Sequence, residues 1–231
     1  DEVFHHLGVS GFATHAVVSR KSVVPVGSDV PAAVAAVLGC AVLTGGGALL
    51  NAAAPEEGDS IAIVGLGGVG VACLLTAVAS GVQEIIAVDM SEEKRELALS
   101  YGAHAAYSPE EMAERGIKTT HAVECAGHPA AFTTAFNATS PGGRTVTAGL
   151  PSPEQTAEIA PLTITGEART IIGSYLGTSV PARDIPRYEQ MWRDGRLPVE
   201  KLVSATMRLD DINEAMDQLA DGRAVRQIIE Y

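Results

Sequence analysis

The chain has 231 residues, of which 46% are hydrophobic and 19% are charged, and its formal net charge at pH 7 is −12. These values describe a globular chain with one large domain or two small ones. An acidic chain is repelled by nucleic-acid phosphates and by anionic membrane surfaces, so the composition argues against both as main partners. A small polar ligand fits the charge better.

The cysteines and the lengths of the apolar runs indicate the cellular location of the chain. Cys40, Cys73 and Cys125 have no paired spacing, which excludes a disulfide framework and a four-cysteine zinc loop. Glycine or polar residues interrupt the apolar runs well short of the ~20 residues that span a bilayer, and no basic, apolar-cored leader opens the chain. We therefore expect reduced thiols, no membrane partner and a cytoplasmic location.

Strand and helix signals alternate through the middle of the chain. Strands are predicted at residues 61–64, 85–88, 122–125 and 145–148, and helices at 69–80, between Ser91 and Gly102, and at 130–138. A turn is predicted at residues 141–143, and a surface loop at 151–161. This βαβ alternation predicts an α/β fold with a doubly wound parallel sheet, the Rossmann fold.

The two ends of the chain lack this alternation. Residues 1–40 combine a predicted strand at 14–19 with an alanine-rich stretch after Pro31, as expected for part of another domain. Near the C-terminus, Asp210 or Asp211 is expected to cap an amphipathic helix that ends at Gly222, and a last strand is expected at 225–229. Residues 169–175 are rich in β-branched side chains and are expected to form a sheet edge.

A glycine-rich loop lies between the first predicted strand and the first predicted helix. It consists of Gly65, Leu66, Gly67, Gly68, Val69 and Gly70, which is a G-x-G-x-x-G pattern. In such loops the glycines allow a tight turn, close approach of a pyrophosphate and close helix packing. Asp89 follows Gly70 by 19 positions, where a carboxylate accepts the ribose hydroxyls of NAD and repels the 2′-phosphate of NADP. The alternative for the glycine-rich loop is a flexible turn without a ligand. The alternative for Asp89 is a residue that only starts the next helix.

Several blocks together resemble the medium-chain zinc alcohol dehydrogenase family. They are Leu38-Gly39-Cys40, Thr44-Gly45-Gly46-Gly47-Ala48, the glycine-rich loop, Asp89, His5-His6-Leu7-Gly8 with Phe12, and Arg223-Ala224-Val225-Arg226. The resemblance implies an oxidoreductase that transfers hydride between an alcohol and NAD with the help of zinc. It divides the chain into a remnant of a GroES-like catalytic domain at 1–41, an NAD-binding Rossmann domain at 42–175, and a segment returning to the catalytic domain at 176–231.

The resemblance also assigns roles to single residues. The resemblance makes Cys40 a ligand of the catalytic zinc; the alternative is a small buried thiol. It places Thr44 beside the nicotinamide; the alternative is a helix N-cap. Lys94 lies beside the adenosine ribose, unless it is a solvated helix lysine. Arg226 contacts the pyrophosphate, unless it is an exposed strand arginine. The nicotinamide end is assigned to Ala148, Gly149, Leu150 and Leu176.

What the family carries upstream is absent from this sequence: a cysteine and a histidine of the zinc site and the proton-relay groups. We therefore expect an N-terminally shortened chain that binds NAD but does not oxidise alcohols by itself. The expected partners are an alcohol or aldehyde and further copies of the chain, as a homodimer or homotetramer. Two alternatives are a non-catalytic NAD-binding module and a zinc-free quinone or enoyl reductase, and Cys40 argues against the latter. No histidine is assigned a catalytic role.

Overall fold

A six-stranded parallel sheet forms the centre of the fold. The computed structural model describes residues 11–231, so the interpretation of His5, His6, Leu7 and Gly8 lies outside the described residues. The strands are β1 Ser60–Val64, β2 Glu84–Val88, β3 Ala105–Tyr107, β4 Thr119–Glu124, β5 Thr139–Thr147 and β6 Thr170–Gly173. Their order, β3-β2-β1-β4-β5-β6, is that of a dinucleotide-binding Rossmann sheet. The predicted fold class is confirmed.

Helices cover both faces of the sheet and extend beyond it. They are α1 Ala32–Ala53, α2 Gly68–Ala79, α3 Glu92–Ser100, α4 Pro109–Glu114, α5 Pro129–Ala138, α6 Pro161–Gly166, α7 Pro181–Arg193 and α8 Ile212–Ala220. The predicted caps explain several ends. The Ser91 hydroxyl accepts the Lys94 N–H at the start of α3, while Gly81 and Gly102 take positive φ angles just beyond α2 and α3.

Two local predictions are wrong. Residues 14–19 do not form a strand, because no strand of the described chain lies beside them to accept their backbone hydrogen bonds. The turn predicted at 141–143 lies inside β5 as an irregular bulge, since Thr119 pairs with Thr139 and His121 already pairs with Arg144. Gly142 supplies the positive φ that this bulge needs.

Helix α1 joins the N-terminal segment to the Rossmann core. It is 22 residues long and apolar enough to cross a membrane, so the expectation that every apolar run stops well short of that length is wrong. The helix continues without a break through its polar residues, Thr44 and Asn51, and through its glycines. Most of its apolar window, 67%, is buried inside the structure, and Val37 and Leu38 pack with residues of α2 and α7 in one core cluster. Such burial is typical of a core helix.

Three successive glycines in α1 let three neighbours approach its backbone. A Cβ on Gly45 would lie 2.2 Å from the Val69 carbonyl oxygen in α2, and one on Gly46 would lie 2.8 Å from the Tyr188 ring in α7. A Cβ on Gly47 would meet the Gly177 carbonyl oxygen at 2.3 Å. The helix therefore fixes α2, α7 and the turn around Gly177 relative to one another.

The C-terminal segment forms a second, two-stranded parallel sheet. Strand β7, Val203–Arg208, pairs with β8, Arg226–Glu230, and α8 connects them. Helix α8 begins after Asp211, but the predicted cap is wrong, because the Asp211 side chain makes no capping hydrogen bond. The pairing with β7 places Arg226, the first residue of β8, next to the start of α2.

Candidate cofactor-binding site

The glycine-rich loop has the close contacts that its pattern predicts. Gly65 adopts φ 93°, and a Cβ on Gly70 would lie only 1.8 Å from the Gly65 carbonyl oxygen. Both positions therefore require glycine. Gly67 differs, because a Cβ there would meet no heavy atom within 4 Å. The backbone at Gly67 faces open space at the N-terminus of α2, where free N–H groups attract phosphate.

Asp89 lies directly against this loop at the end of β2. Its Oδ2 accepts the Leu66 N–H at 2.7 Å, and its Oδ1 accepts the Ser91 N–H at 2.9 Å. The residue therefore acts as a helix-entry aspartate and, in the same conformation, presents its carboxylate beside the glycine-rich loop. Each oxygen keeps acceptor capacity for a ligand hydroxyl, since a carboxylate oxygen accepts more than one hydrogen bond.

Two basic side chains lie between the C-terminal segment and the Rossmann core. The Arg226 guanidinium covers Gly68, where an added Cβ would lie 2.4 Å from Cζ, so Arg226 is not an exposed strand arginine. The Lys94 Nζ approaches the turn before β8, 3.6 Å from the position of a Cβ on Gly222. The positive charge of Arg226 thus adds to the partial positive charge at the start of α2.

An apolar cavity of about 480 Å³ opens beside Asp89. Its walls come from the carboxyl ends of β1 and β2 and from the start of α5. They include Val64, Gly65, Val88, Asp89, Ala126 and Ala131. A flat apolar ring fits such walls, and the crevice outside the carboxyl ends of parallel strands is where open α/β sheets bind ligands.

The residues assigned to the nicotinamide end follow β5 at the same edge of the sheet. The N–H groups of Ala148 and Gly149 donate to the Glu124 carbonyl oxygen at 2.9 and 3.3 Å, while the Leu150 side chain is exposed. The Glu124 carboxylate is buried beneath them and accepts three hydrogen bonds. Sequence reasoning missed this residue, because nothing near it in the chain indicates a buried charge.

Leu176 lies in a turn of left-handed backbone. Leu176 has φ 48°, Gly177 has φ 69° and Thr178 has φ 51°, which is uncommon for side chains larger than glycine. The turn packs on α1 near Thr44, since a Cβ on Gly177 would lie 2.7 Å from the Thr44 carbonyl oxygen. Thr44 is buried inside α1, so the alternative of a helix N-cap is wrong.

A polar network outside the predicted set holds this turn. The Asn51 Nδ2 donates to the Gly177 carbonyl oxygen at 3.2 Å and reaches Asp184 Oδ2 at 3.5 Å. Asp184 is buried at the start of α7 and accepts the Val180 N–H at 2.8 Å. The hydrogen bond from Arg183 outweighs the opposing effect of burial and, with the Val180 N–H, lowers the pKa of Asp184. The network joins α1, the turn and α7.

Cys40 is exposed on α1, so the alternative of a buried thiol is wrong. It lines a groove of about 250 Å³ that also contacts Arg226 and Tyr231. Within residues 11–231, no three His, Cys, Asp or Glu side chains are grouped in a way that could hold a metal ion. Because zinc sites need at least three protein ligands, the described residues do not by themselves fit a zinc site.

The other two cysteines lie in the core, below the glycine-rich loop. Cys73 is fully buried, and Cys125 is partly exposed. The hydrogen bond with Cys73, together with burial, raises the pKa of the Cys125 thiol well above its usual value. A thiol held in its protonated form is a poor nucleophile and a poor metal ligand, so Cys125 acts as a packing group. Cys73 packs in the same core cluster because its side chain is fully buried.

Comparison with known proteins identifies the family of the chain. The zinc-binding dehydrogenase family matches residues 68–193, which is more than half of the chain. The chain belongs to the zinc-binding dehydrogenase family. Among the curated members, it is 34% identical to alcohol dehydrogenase 1 of Pisum sativum over 98% of its own length, and 33% identical to geraniol dehydrogenase of Castellaniella defragrans over 97%.

Solved structures of this dehydrogenase family share the fold. An alcohol dehydrogenase zinc-binding domain protein from Burkholderia ambifaria superposes with a TM-score of 0.90 at 30% identity, covering 96% of this chain and 62% of that one. Benzyl alcohol dehydrogenase of Acinetobacter calcoaceticus gives a TM-score of 0.90 at 29% identity, covering 96% and 63%. The chain spans 62% of the length of the two curated relatives named above.

Proposed function

We propose that this chain is the NAD-binding part of an alcohol dehydrogenase, an oxidoreductase that moves hydride between an alcohol or aldehyde and NAD. One observation carries the proposal: Asp89 contacts the glycine-rich loop at Leu66, Arg226 contacts it at Gly68, and Gly67 between them faces open space. An anion at the loop would meet the guanidinium, and a ribose next to it would meet the carboxylate. This is the arrangement that a dinucleotide requires.

The residues present fit NAD along its length. The loop from Gly65 to Gly70 and Arg226 would hold the pyrophosphate, while Asp89 and Lys94 would hold the adenosine ribose. The apolar cavity beside Asp89 would take the adenine, and Ala148, Gly149, Leu150, Leu176 and Thr44 would border the nicotinamide. When bound, NAD supplies the acceptor for a hydride from the alcohol carbon. The protein orients that ring and excludes water around it.

The zinc assignment supports a narrower proposal. Cys40 would supply one thiolate to a catalytic zinc, which distinguishes the chain from zinc-free quinone or enoyl reductases of the same superfamily. Because residues 11–231 provide no grouped set of three ligands, we infer that this part of the chain binds NAD without by itself oxidising alcohols at a meaningful rate. That observation also favours the second candidate function, a non-catalytic NAD-binding module.

The remaining assignments are part of the same proposal. We infer a cytoplasmic protein with residues 42–175 as its NAD-binding domain and residues 1–41 and 176–231 belonging to a catalytic domain. Self-association would use the outer edge of β6, which has β5 as its one neighbour among the described strands. An uncovered strand edge exposes unpaired backbone groups that a second copy can satisfy.

Gly67 offers a direct test of the proposed site. Replacing Gly67 with alanine adds a methyl group in open space and at an ordinary φ of −78°, so the fold should be unaffected. The same methyl group lies where a pyrophosphate must approach. In calorimetric titrations we expect Gly67→Ala to weaken NAD binding by roughly tenfold or more, which corresponds to about 1.4 kcal/mol. The matched control is Gly166→Ala, also in open space but at the end of α6; equal NAD affinities of both variants would contradict the proposal.

A further inference from the structure

Glu124 is a buried carboxylate at the edge of the sheet that faces the proposed cofactor. It is the last residue of β4, between β1 and β5, and it is 1% exposed. Its Oε1 accepts the N–H groups of Ala126 at 2.7 Å and Gly127 at 2.6 Å, and its Oε2 accepts the Thr147 hydroxyl at 2.7 Å. Ala126 and Gly127 lie in the loop that leaves β4, while Thr147 is the last residue of β5 and precedes the loop that leaves that strand.

These two loops are in direct contact around the Glu124 side chain. A Cβ on Gly149 would lie 2.2 Å from the Gly127 nitrogen and 2.8 Å from Glu124 Oε1. Gly127 in turn has φ 71°, and a Cβ there would lie 3.0 Å from the Leu150 nitrogen. The backbone of residues 148–150 therefore lies on a surface whose shape depends on where the Glu124 carboxylate sits.

Burying a carboxyl group costs free energy unless its oxygens are hydrogen-bonded. No cation of the described chain forms an ion pair with Glu124, so backbone and hydroxyl donors alone compensate its burial. An apolar side chain could fill the same volume without that cost, but it could not hold three donors in fixed positions. What the carboxylate adds is the relative placement of the two loops.

We propose that Glu124 is a positioning residue for the nicotinamide half of the cofactor, acting through the backbone of residues 126–127 and 147–150. The inference rests on the proposed NAD function and goes beyond it, since it separates the two halves of the ligand. The ADP-ribose part of the ligand is assigned to Asp89, at the adenosine ribose, and to Arg226, at the pyrophosphate, and neither forms a hydrogen bond with the Glu124 side chain. Removing the carboxylate should therefore weaken binding of the nicotinamide half more than binding of the adenosine half, which Glu124 can affect through Ala126 in the wall of the cavity beside Asp89.

Two ligands separate the halves: NAD, and ADP-ribose, which lacks the nicotinamide. We expect the wild-type chain to bind NAD more tightly than ADP-ribose. In Glu124→Ala, NAD affinity should fall by roughly tenfold, as expected for lost hydrogen bonds to a carboxylate, while ADP-ribose affinity should fall by a clearly smaller factor. In Glu124→Gln, one amide oxygen can accept both backbone N–H groups while the NH₂ donates to Thr147, so most of the NAD preference should return. The control Glu84→Ala, at the exposed start of β2, should leave both affinities unchanged.

Thr147→Val is a second variant, for use if Glu124→Ala does not fold. It is milder because it removes only one of the three hydrogen-bond donors to the Glu124 carboxylate. Its ratio of NAD to ADP-ribose affinity should also fall. A ratio that is unchanged in the folded variants, an equal loss of both ligands, or a wild-type ratio of one would overturn the inference. Failure of the wild-type chain to bind ADP-ribose would instead overturn the proposed function, and with it the inference.

Discussion

The guanidinium of Arg226 covers Gly68 so closely that a Cβ at that glycine would lie 2.4 Å from the arginine Cζ and 2.5 Å from Nη1. The two residues are far apart in the chain, and the two-stranded sheet of β7 and β8 brings them together. The contact places a permanent cation at the N-terminus of α2. It is also the place where the C-terminal segment contributes to the proposed dinucleotide site.

Replacing Arg226 with alanine should weaken NAD binding while the fold persists. Among the described residues, the guanidinium donates one hydrogen bond, to the Val225 carbonyl oxygen, so little of the described structure depends on it. We expect a loss of roughly tenfold in NAD affinity and a weaker salt dependence of binding, because a charge-assisted contact with phosphate is removed. The control is Arg223→Ala, whose exposed side chain pairs with Asp221. Equal affinities of the two variants, measured by calorimetry, would show that Arg226 does not meet the pyrophosphate.

Asp184 should make the stability of the chain depend on acidity. Its pKa in the folded state is lowered by Arg183, against the opposing effect of burial, and by the Val180 N–H. A carboxyl group with a lowered folded-state pKa stabilises the fold at pH values above its unfolded-state pKa of about 3.9. This stabilisation is lost as the pH falls through the folded-state pKa. Asp184→Asn should therefore cost roughly 1–3 kcal/mol at pH 7 and less near pH 3.

Urea unfolding of wild type and Asp184→Asn between pH 3 and pH 7 measures this difference. Asp221→Asn serves as the control, because Asp221 and its partner Arg223 are both exposed and such pairs contribute little. If the free-energy difference between wild type and Asp184→Asn stays constant across the pH range, Asp184 is not the titrating group.

Self-association should depend on the free edge of β6. Ser174 donates its N–H to the Thr147 carbonyl oxygen in β5, and N–H directions alternate along a strand, so the N–H of Ile171 points away from β5. Ile171→Pro removes that outward donor without removing a bond to β5, and proline is tolerated on edge strands. Sedimentation velocity at micromolar concentration should show a dimer or tetramer for wild type and for the control Ile171→Val. Ile171→Pro should sediment as a monomer; a variant that associates like wild type would exclude this edge.

Zinc should not turn the 231-residue chain into an efficient alcohol dehydrogenase. Cys40 is the one residue assigned to the metal, and charge stabilisation of a developing alkoxide by a well-held metal is commonly worth on the order of a thousandfold in rate. We expect at most trace alcohol-dependent NADH formation with zinc and NAD, and Cys40→Ser should not change it. Turnover comparable to that of a full-length alcohol dehydrogenase with a complete zinc site would contradict this expectation.

Local signals predicted the parts of the site that lie close together in the sequence. The turn between β1 and α2 needs glycine at Gly65 and Gly70, and the Ser91 cap starts α3 just after Asp89, so pattern and spacing were sufficient. For helix α1, the sequence indicates only an alanine-rich stretch and does not predict a helix. Its glycines lower helix propensity, and the packing of α2, α7 and the Gly177 turn against them compensates for that loss.

Contacts between distant residues could not be predicted in this way. Glu124 meets Thr147 across 23 positions, and Asn51 reaches Asp184 across 133. Neither pair has a spacing rule, because the sheet order and the helix packing decide which side chains meet. The strand predicted at 14–19 was wrong for the same reason, since strand formation depends on a neighbour that local sequence does not reveal.

The glycine-rich loop and Asp89 should select NAD over NADP, and calorimetric titration of the chain with both cofactors tests this selectivity most directly. We expect NAD to bind more tightly, because the Asp89 carboxylate accepts ribose hydroxyls and repels a 2′-phosphate. Asp89→Asn keeps an acceptor for the Leu66 N–H and should narrow the preference by weakening NAD and strengthening NADP. Glu92→Gln, on the exposed face of α3, should leave it unchanged. Equal affinities of the wild-type chain for NAD and NADP would contradict the account.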